Sequence, residues 1–396
     1  MGGCVTGFLR ERDIAIVGYA ETKLVRRSGR SALALAGEAV AGLLAQTGIE
    51  RDRIDGFATT LAMSEAGNPF YSNLLAEGLG LSVSWCQATD IGGASAAGNV
   101  ARAAMAIRSG MCEMVLCLAA DAVSTQDRSV QSGHRTEFCD PAGYAGPLTS
   151  FALLSSLYDQ RWGLPHEALA KLAVTQRRGA LLNGNACEVL RKPLTGRDYL
   201  ESRIVSDPLR MLDCVMRCDG ASAVLVTSTR LARQLGLRMV HPIAYAERIN
   251  HDPRGGDDLL ASGFNDAGPR AFAQAGMRPA DVKMLHWYDD FLIALILQLE
   301  QTGFCAPGEG GRFVLEHDLG HDGDLPLNTG GGQISAGQPG LAGGGVNLVE
   351  CLRQMFGDAG ARQVKDASNA MLTGIGVIQY ARNWGTSAVM LLERGP

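Results

Sequence analysis

The chain has 396 residues, 46% of them hydrophobic and 19% charged, a balance that fits a large folded interior and excludes a disordered polar chain. With 36 basic against 41 acidic residues the net charge is −5, and no basic tract stands out, so nucleic acid is not an expected partner. No apolar run is long enough to span a bilayer and the N-terminal stretch has no apolar leader segment, which sets the expectation of a cytoplasmic protein away from the membrane.

A chain this long is expected to form two domains or two fused halves. In chain order, "DIAIVGYAETKL" from Asp13 predicts a buried strand. "SALALAGEAVAGLLAQTGIERDRIDGFATT" from Ser31 predicts an amphipathic helix, a stop at Gly48 and a second strand. "DIGGASAAGNVARAAMAIRSG", Asp90 to Gly110, has the build of a nucleophile-bearing turn that runs into a buried helix. Glycines sit at the bend, and Val100, Ala104 and Ile107 follow at helical spacing. No cysteine stands at that turn, and Ser95 carries its one hydroxyl.

Between Ala122 and Leu212 the alternation gives way to helical stretches, "LTSFALLSSLYDQRWG" and "HEALAKLAVTQRRGALLNG", punctuated by Pro141, Pro147 and Pro165. This insert predicts a lid over a site. The second half then echoes the first. "HPIAYAERI" from His241 repeats the "YAE" of Tyr19, "AQAGMRPADV" matches "AQTGIERDRI", and "GTSAVML" from Gly385 matches "GASAVLV" from Gly220. Internal duplication follows, with halves at 1–240 and 241–396 and a lid insert near 122–212. Alternating strands and helices predict an α/β protein with mostly parallel sheets covered on both faces. The ten cysteines are scattered without a CxxC pair, so no metal site is expected and the thiols read as reduced.

The segments "AAMAIRSGMCEMVLCLAAD", "YLESRIVSDPLRMLDCVMRCDGASAVLV", "YDDFLIALILQLEQTGFCAPGEGG" and "LPLNTGGGQISAGQPG" together resemble the thiolase superfamily, in its sterol-carrier-protein thiolase and lipid-transfer-protein branch. The resemblance runs nearly end to end. It implies a thiolase-like fold, two sheets of five strands among three helix layers (αβαβα), and a homodimer. It also implies coenzyme A thioesters as substrates, with no other cofactor.

The chain departs from the family pattern at every acid, base and nucleophile position. Gly93 stands at the nucleophilic cysteine, Gln338 of "GQP" at the histidine of "GHP", Tyr288 of "YDDF" at the histidine of an "HDCF"-like motif, and Ile375 at a late cysteine. Acyl transfer needs a thiolate and a base to generate it, and an amide supplies neither. Retro-aldol cleavage of a β-hydroxyacyl-CoA needs no nucleophile, only a base and donors for the enolate oxygen. The branch includes cysteine-less aldolases that shorten steroid side chains with a small OB-fold and zinc-ribbon partner, and this chain is similar to them. The rivals are a thiolase-type acyltransferase with an unrecognised nucleophile and a non-catalytic CoA- or lipid-binding subunit.

The candidate catalytic residues are therefore Tyr288 for proton transfer, Asp290 as an alternative carboxylate base, and Gln338 as an amide donor to the enolate oxygen. The family role of Asp289 is to cap the next helix. Expected substrate contacts are Gly93, whose missing side chain leaves room for a branched β-carbon, and Ser95, Asn328, Gly337, Tyr144 and His134. The glycines of "NTGGG" and of 343–345 read as turns that let backbone approach the ligand, or as tight packing between the sheets.

Overall fold

The computed structural model describes residues 9–126, 137, 139–144, 146–251, 258–377 and 384–395. β1 (Ile14–Glu21) is an apolar run buried along most of its length. In α1 (Ala32–Thr47) the Ser31 side chain accepts from the Ala34 amide, and Gly48 ends the helix at φ 67°, a conformation glycine enters without strain. β2 (Gly56–Thr60), α2 (Tyr71–Gly78), β3 (Trp85–Thr89), α3 (Ser95–Arg108) and β4 (Met114–Asp121) continue the alternation. The insert then contributes α4 (Pro147–Trp162), α5 (His166–Leu182), α6 (Gly196–Leu200) and a small hairpin of β5 (Ile204–Ser206) and β6 (Leu209–Arg210).

β7 (Gly220–Ser228) returns to the main sheet, and α7 (Thr229–Gln234) leads out of it. The second series is β8 (Val240–Ile249), α8 (Phe264–Ala275), β9 (Leu285–His286), α9 (Leu292–Gln301), α10 (Gly310–Glu316), α11 (Gly332–Ala336), α12 (Gly343–Phe356), β10 (Asn369–Val377) and β11 (Trp384–Arg394).

These strands form one ladder of nine, ordered β3-β2-β4-β7-β1-β8-β11-β10-β9. The two series meet where Ile16 of β1 pairs with Val240 of β8, and their strand orders mirror each other on either side. The first series has the expected five strands and the second has four. Its fifth is reduced to one bridge, Leu285 with Leu327, because Asn328 then turns the chain at φ 49° toward Gly330, Gly331 and Gly332. Nor is the sheet mostly parallel. β7 runs antiparallel to β1 and β4, and β11 to β8 and β10, so each series carries one reversed strand between strands of common direction.

The two half-sheets close over α3 and α12. α3 packs on β2, β4 and β7 from one side and on β10 and β11 from the other, while α1 and α8 cover the outer faces. The apolar stripe of α3 explains its position: Val100 and Ala104 are buried, and its run of alanines lets two sheets approach one helix. The turn before α3 and the glycine-rich start of α12 thereby meet in the middle of the molecule.

Candidate functional site

A cavity of about 870 Å³ is lined in part by the insert, a size suited to a drug-sized or larger ligand. Gly93, Tyr288, Gln338 and Ile375, the four positions singled out in the sequence, line it together with Asp290. Most of the remaining lining is aliphatic, with Leu148, Leu194, Val205 and Leu212 from the insert and Ile334 beside the aromatic Phe291.

Tyr288 is held at both ends. Its amide donates to Thr373 Oγ1 at 2.9 Å, and its carbonyl accepts from Gln298 Nε2 at 2.9 Å. The phenol oxygen accepts from Gln338 Nε2 at 3.2 Å, which leaves the phenolic proton directed elsewhere. The residue is 3% exposed. Burial, then the charge of Asp290, push the phenol well above its ordinary pKa against a smaller opposing pull from Gln338. At neutral pH Tyr288 is therefore a proton donor, where a lowered pKa would have made it a base.

The space at Gly93 is not free for substrate. A β-carbon built there overlaps Cε2, Cζ and the hydroxyl of Tyr288, so the ring occupies the volume a nucleophile's side chain would need. Gly93 lines the cavity, but through its backbone. The glycines at 343–345 form the first turn of α12, and they serve packing. A β-carbon at Gly344 would overlap the Gly93 carbonyl, and one at Gly345 the Ser222 hydroxyl.

The two carboxylates of "YDDF" divide the work by environment. Asp289 is fully buried and accepts from the amides of Gln333 (2.9 Å) and Ile334 (3.2 Å), from Gln176 Nε2 (2.7 Å) and from Asn347 Nδ2 (3.3 Å). It anchors the start of α11, not the helix that follows it in sequence. Burial raises its pKa to about 7 against those donors. Asp290 is 5% exposed, lines the cavity, and its Oδ1 has no hydrogen-bond partner among the described residues. Burial, then the charge of Asp289, push it to about 8. An under-solvated carboxylate titrating near neutrality, in a cleft beside a phenol, has the properties of a general base.

Four expected contacts are engaged elsewhere. Ser95 is buried, and its hydroxyl accepts from the Ile91 amide at 3.1 Å, bracing the turn away from the cavity lining. Asn328 spends its amide on the Trp287 backbone, accepting from its N–H at 2.8 Å and donating to its carbonyl at 2.9 Å. Gly337, at φ 114°, backs onto Cys218 instead of the cavity. Tyr144 is buried with its hydroxyl bonded to Ser150 and does not line the cavity. His134 lies outside the described residues.

Two lining residues went unnoticed in the sequence. Cys214 places a thiol on the wall, but burial, then Asp213 and Asp290, raise its pKa to about 12, which makes it a poor nucleophile. Arg177 lies on α5 and is 7% exposed. Its signal was legible: it stands four residues beyond Ala173 and eight beyond Leu169, on the face of α5 that packs inward.

Comparison with known proteins gives this geometry its relatives. A family model described as "Thiolase C-terminal domain-like" matches residues 251–392. A protein of Thermomonospora curvata named "Steroid side-chain-cleaving aldolase" is 31% identical over 385 residues, spanning 92% of this chain and 95% of that one. The chain belongs to the thiolase superfamily. Within it, the matches include sterol carrier proteins, an aldolase and a CoA-ester lyase. A 17-hydroxy-3-oxo-4-pregnene-20-carboxyl-CoA lyase of Mycobacterium tuberculosis is 33% identical over 81% of this chain and 86% of its own length. The solved structure titled "Ltp2-ChsH2(DUF35) aldolase" superposes with a TM-score of 0.85 at 27% identity, covering 98% of this chain and 99% of that one. In this chain the Tyr288 ring is packed against Gly93, in the space a side chain at that position would need.

Proposed function

We propose that the protein cleaves β-hydroxyacyl-CoA thioesters by a retro-aldol reaction, without a covalent intermediate. One observation carries this reading. A single cavity holds a proton donor (Tyr288), a carboxylate poised near neutrality (Asp290) and an amide (Gln338), while Tyr288 fills the place of the thiolase nucleophile. The names of the aldolase and lyase relatives support it.

In the proposed sequence ionised Asp290 takes the proton of the substrate's β-hydroxyl. The Cα–Cβ bond breaks, the β-carbon leaves as a carbonyl, and its bonding electrons become the thioester enolate. The Tyr288 phenol, steered by Gln338, hydrogen-bonds to the enolate and delivers its proton to Cα. Asp290 then returns the hydroxyl proton to the phenolate, and both groups are ready for another turnover. An acyltransferase would need Cys214 as its thiolate, in a site whose two neighbouring carboxylates oppose that charge. The enolate step is tested by incubating the protein with propionyl-CoA in D2O. Exchange of the α-hydrogens is expected, and no exchange over background would remove the enolate from the mechanism.

The remaining assignments rest on the same reading. We propose two duplicated halves, 1–240 and 241–396, supported by the mirrored strand order. A homodimer is proposed through β3, an edge strand whose Cys86 and Ala88 are exposed. A small OB-fold and zinc-ribbon partner is proposed from the two-component title of the aldolase structure. Val189 and Met211, apolar lining residues that are half exposed, offer such a chain a contact at the cavity. A reducing, cytoplasmic setting fits the nine described cysteines, all free. Among the described residues no helix is long and apolar enough to cross a membrane.

A further inference from the structure

Among the described residues the arginines of the interior are paired with carboxylates, with Arg177 as the exception. Arg362 donates to both oxygens of Glu350 at 2.9 Å, and Arg353 donates to Glu350 at 2.8 Å and Glu21 at 2.6 Å. Arg177 has no such partner. Its Nε donates to Ser335 Oγ at 3.2 Å and its Nη1 to the Lys192 carbonyl at 3.2 Å, and both acceptors are neutral. Among the described residues its Nη2 has no acceptor, and no carboxylate pairs with the guanidinium. Burial lowers its pKa with no opposing charge to offset it. A cation held this way is unfavourable for folding and fits a site completed by an anionic ligand.

The guanidinium lines the same cavity as the reacting groups but makes no hydrogen bond to Tyr288, Asp290 or Gln338. The charges acting on Asp290 and Tyr288 are those of the neighbouring aspartates, and Arg177 is not among them. Apolar residues, Ala173, Leu194 and Ile334 among them, line the same cavity. Coenzyme A phosphates are strongly hydrated, and the exposed arginines of the lining, Arg26 and Arg217, are the ones solvent reaches.

We propose that Arg177 binds a carboxylate carried by the acyl part of the substrate, away from the thioester. The protein thereby selects acyl-CoA esters whose acyl chain bears a second, anionic oxygen group. This rests on the CoA-ester reading above and narrows it to a substrate class. The bidentate fork of the guanidinium matches a carboxylate, and the apolar wall around it holds the intervening carbon skeleton.

Calorimetric titration with octanoyl-CoA and suberoyl-CoA tests it, since the two esters have equal chain length and differ in the terminal carboxylate. The wild type is expected to bind suberoyl-CoA about tenfold or more tightly than octanoyl-CoA, in line with a charge-assisted pair. Arg177→Met should erase that preference and leave octanoyl-CoA affinity unchanged, and Arg177→Lys should keep part of it. Asp290→Asn should keep all of it, since it removes chemistry and not recognition. Arg177→Met should also melt at or above the wild-type temperature, because it removes an unpaired buried cation; a fall of several degrees would mark a structural role and overturn the proposal. Equal wild-type affinities, or a preference that survives Arg177→Met, would overturn it too. An equal loss for both esters would place the guanidinium on the CoA phosphates. If the wild type binds neither ester, the CoA-ester reading itself fails.

Discussion

Replacing Gly93 by alanine is expected to push Tyr288 out of the site. The added β-carbon overlaps ring carbons Cε2 and Cζ as well as the hydroxyl. Neither main chain has room to give, so the ring must move. The Gly93 carbonyl lies against Gly344, Gly92 lies against the Gly376 backbone, and the Tyr288 main chain is tied to Thr373 and Gln298. Overpacking of a tight interior costs ~1–3 kcal/mol, and a rigid ring between fixed backbones places this case near ~3 kcal/mol. That lowers the melting temperature by several degrees, on the order of 2–4 °C per kcal/mol or somewhat less in a chain this large. Turnover should fall by ~10²–10⁴-fold as the proton donor leaves its position. Scanning fluorimetry and cleavage rates on Gly93→Ala, Tyr288→Ala and the double variant measure the coupling. With the ring gone the alanine fits, so Gly93→Ala should cost almost nothing in the Tyr288→Ala background, a coupling of about 2–3 kcal/mol. Tyr288→Phe should give no relief, since Cε2 and Cζ remain. A Gly93→Ala protein that melts and cleaves like the wild type would refute the reasoning. The same geometry means that a cysteine at 93 and a tyrosine at 288 in its present position exclude each other.

Tyr288→Phe removes only the phenol oxygen; steady-state kinetics should show turnover down by ~10²–10⁴-fold with CoA-ester binding barely changed. Asp290 must be ionised to act, so kcat/KM should climb tenfold per pH unit and level off near pH 8, and Asp290→Asn should be slow and lose that dependence. The raised pKa also has a stability consequence. The folded state holds this proton more tightly than the unfolded chain, so stability is greatest below the unfolded carboxylate pKa of ~3.9 and is lost as pH rises through about 8. Melting curves of Asp290→Asn should therefore be flatter in pH and lie above wild type at pH 9. Cys214→Ala should cleave within about twofold of the wild-type rate, since its raised thiol takes no part; loss of activity would revive the acyltransferase.

Much of this fold was legible in order along the chain. Ser31 and Gly48 mark the ends of α1 by cap chemistry, and the echoed segments land on matching strands because each repeats one burial pattern. Strand direction was not legible: nothing local in "GASAVLV" says that β7 runs against its neighbours, since reversal is set by where the insert returns the chain. At the site, residue types at motif positions found Tyr288, Asp290, Gln338 and Gly93 around one cavity. Asn328 and Ser95 have equally suitable chemistry, but their side chains bond backbone, Ser95 in its own turn and Asn328 at Trp287 on a distant segment, a choice that residue type does not reveal. The space at Gly93 was misjudged for a related reason, because what fills it arrives from a residue nearly two hundred positions away. Arg177 was visible as a charge on an inward face of α5, but that it lacks a carboxylate partner is a property of the assembled wall.

Cleavage without a thiol is tested most directly by product stoichiometry. The purified protein is incubated with a β-hydroxyacyl-CoA bearing a fully substituted β-carbon, with no free CoA added, and products are quantified by mass spectrometry alongside the intact protein. Retro-aldol chemistry should yield the carbonyl fragment and the shortened acyl-CoA in equal amounts, with no acyl group on the protein. Breakdown of a 3-ketoacyl-CoA that requires added CoA, with an acylated protein as intermediate, would contradict it.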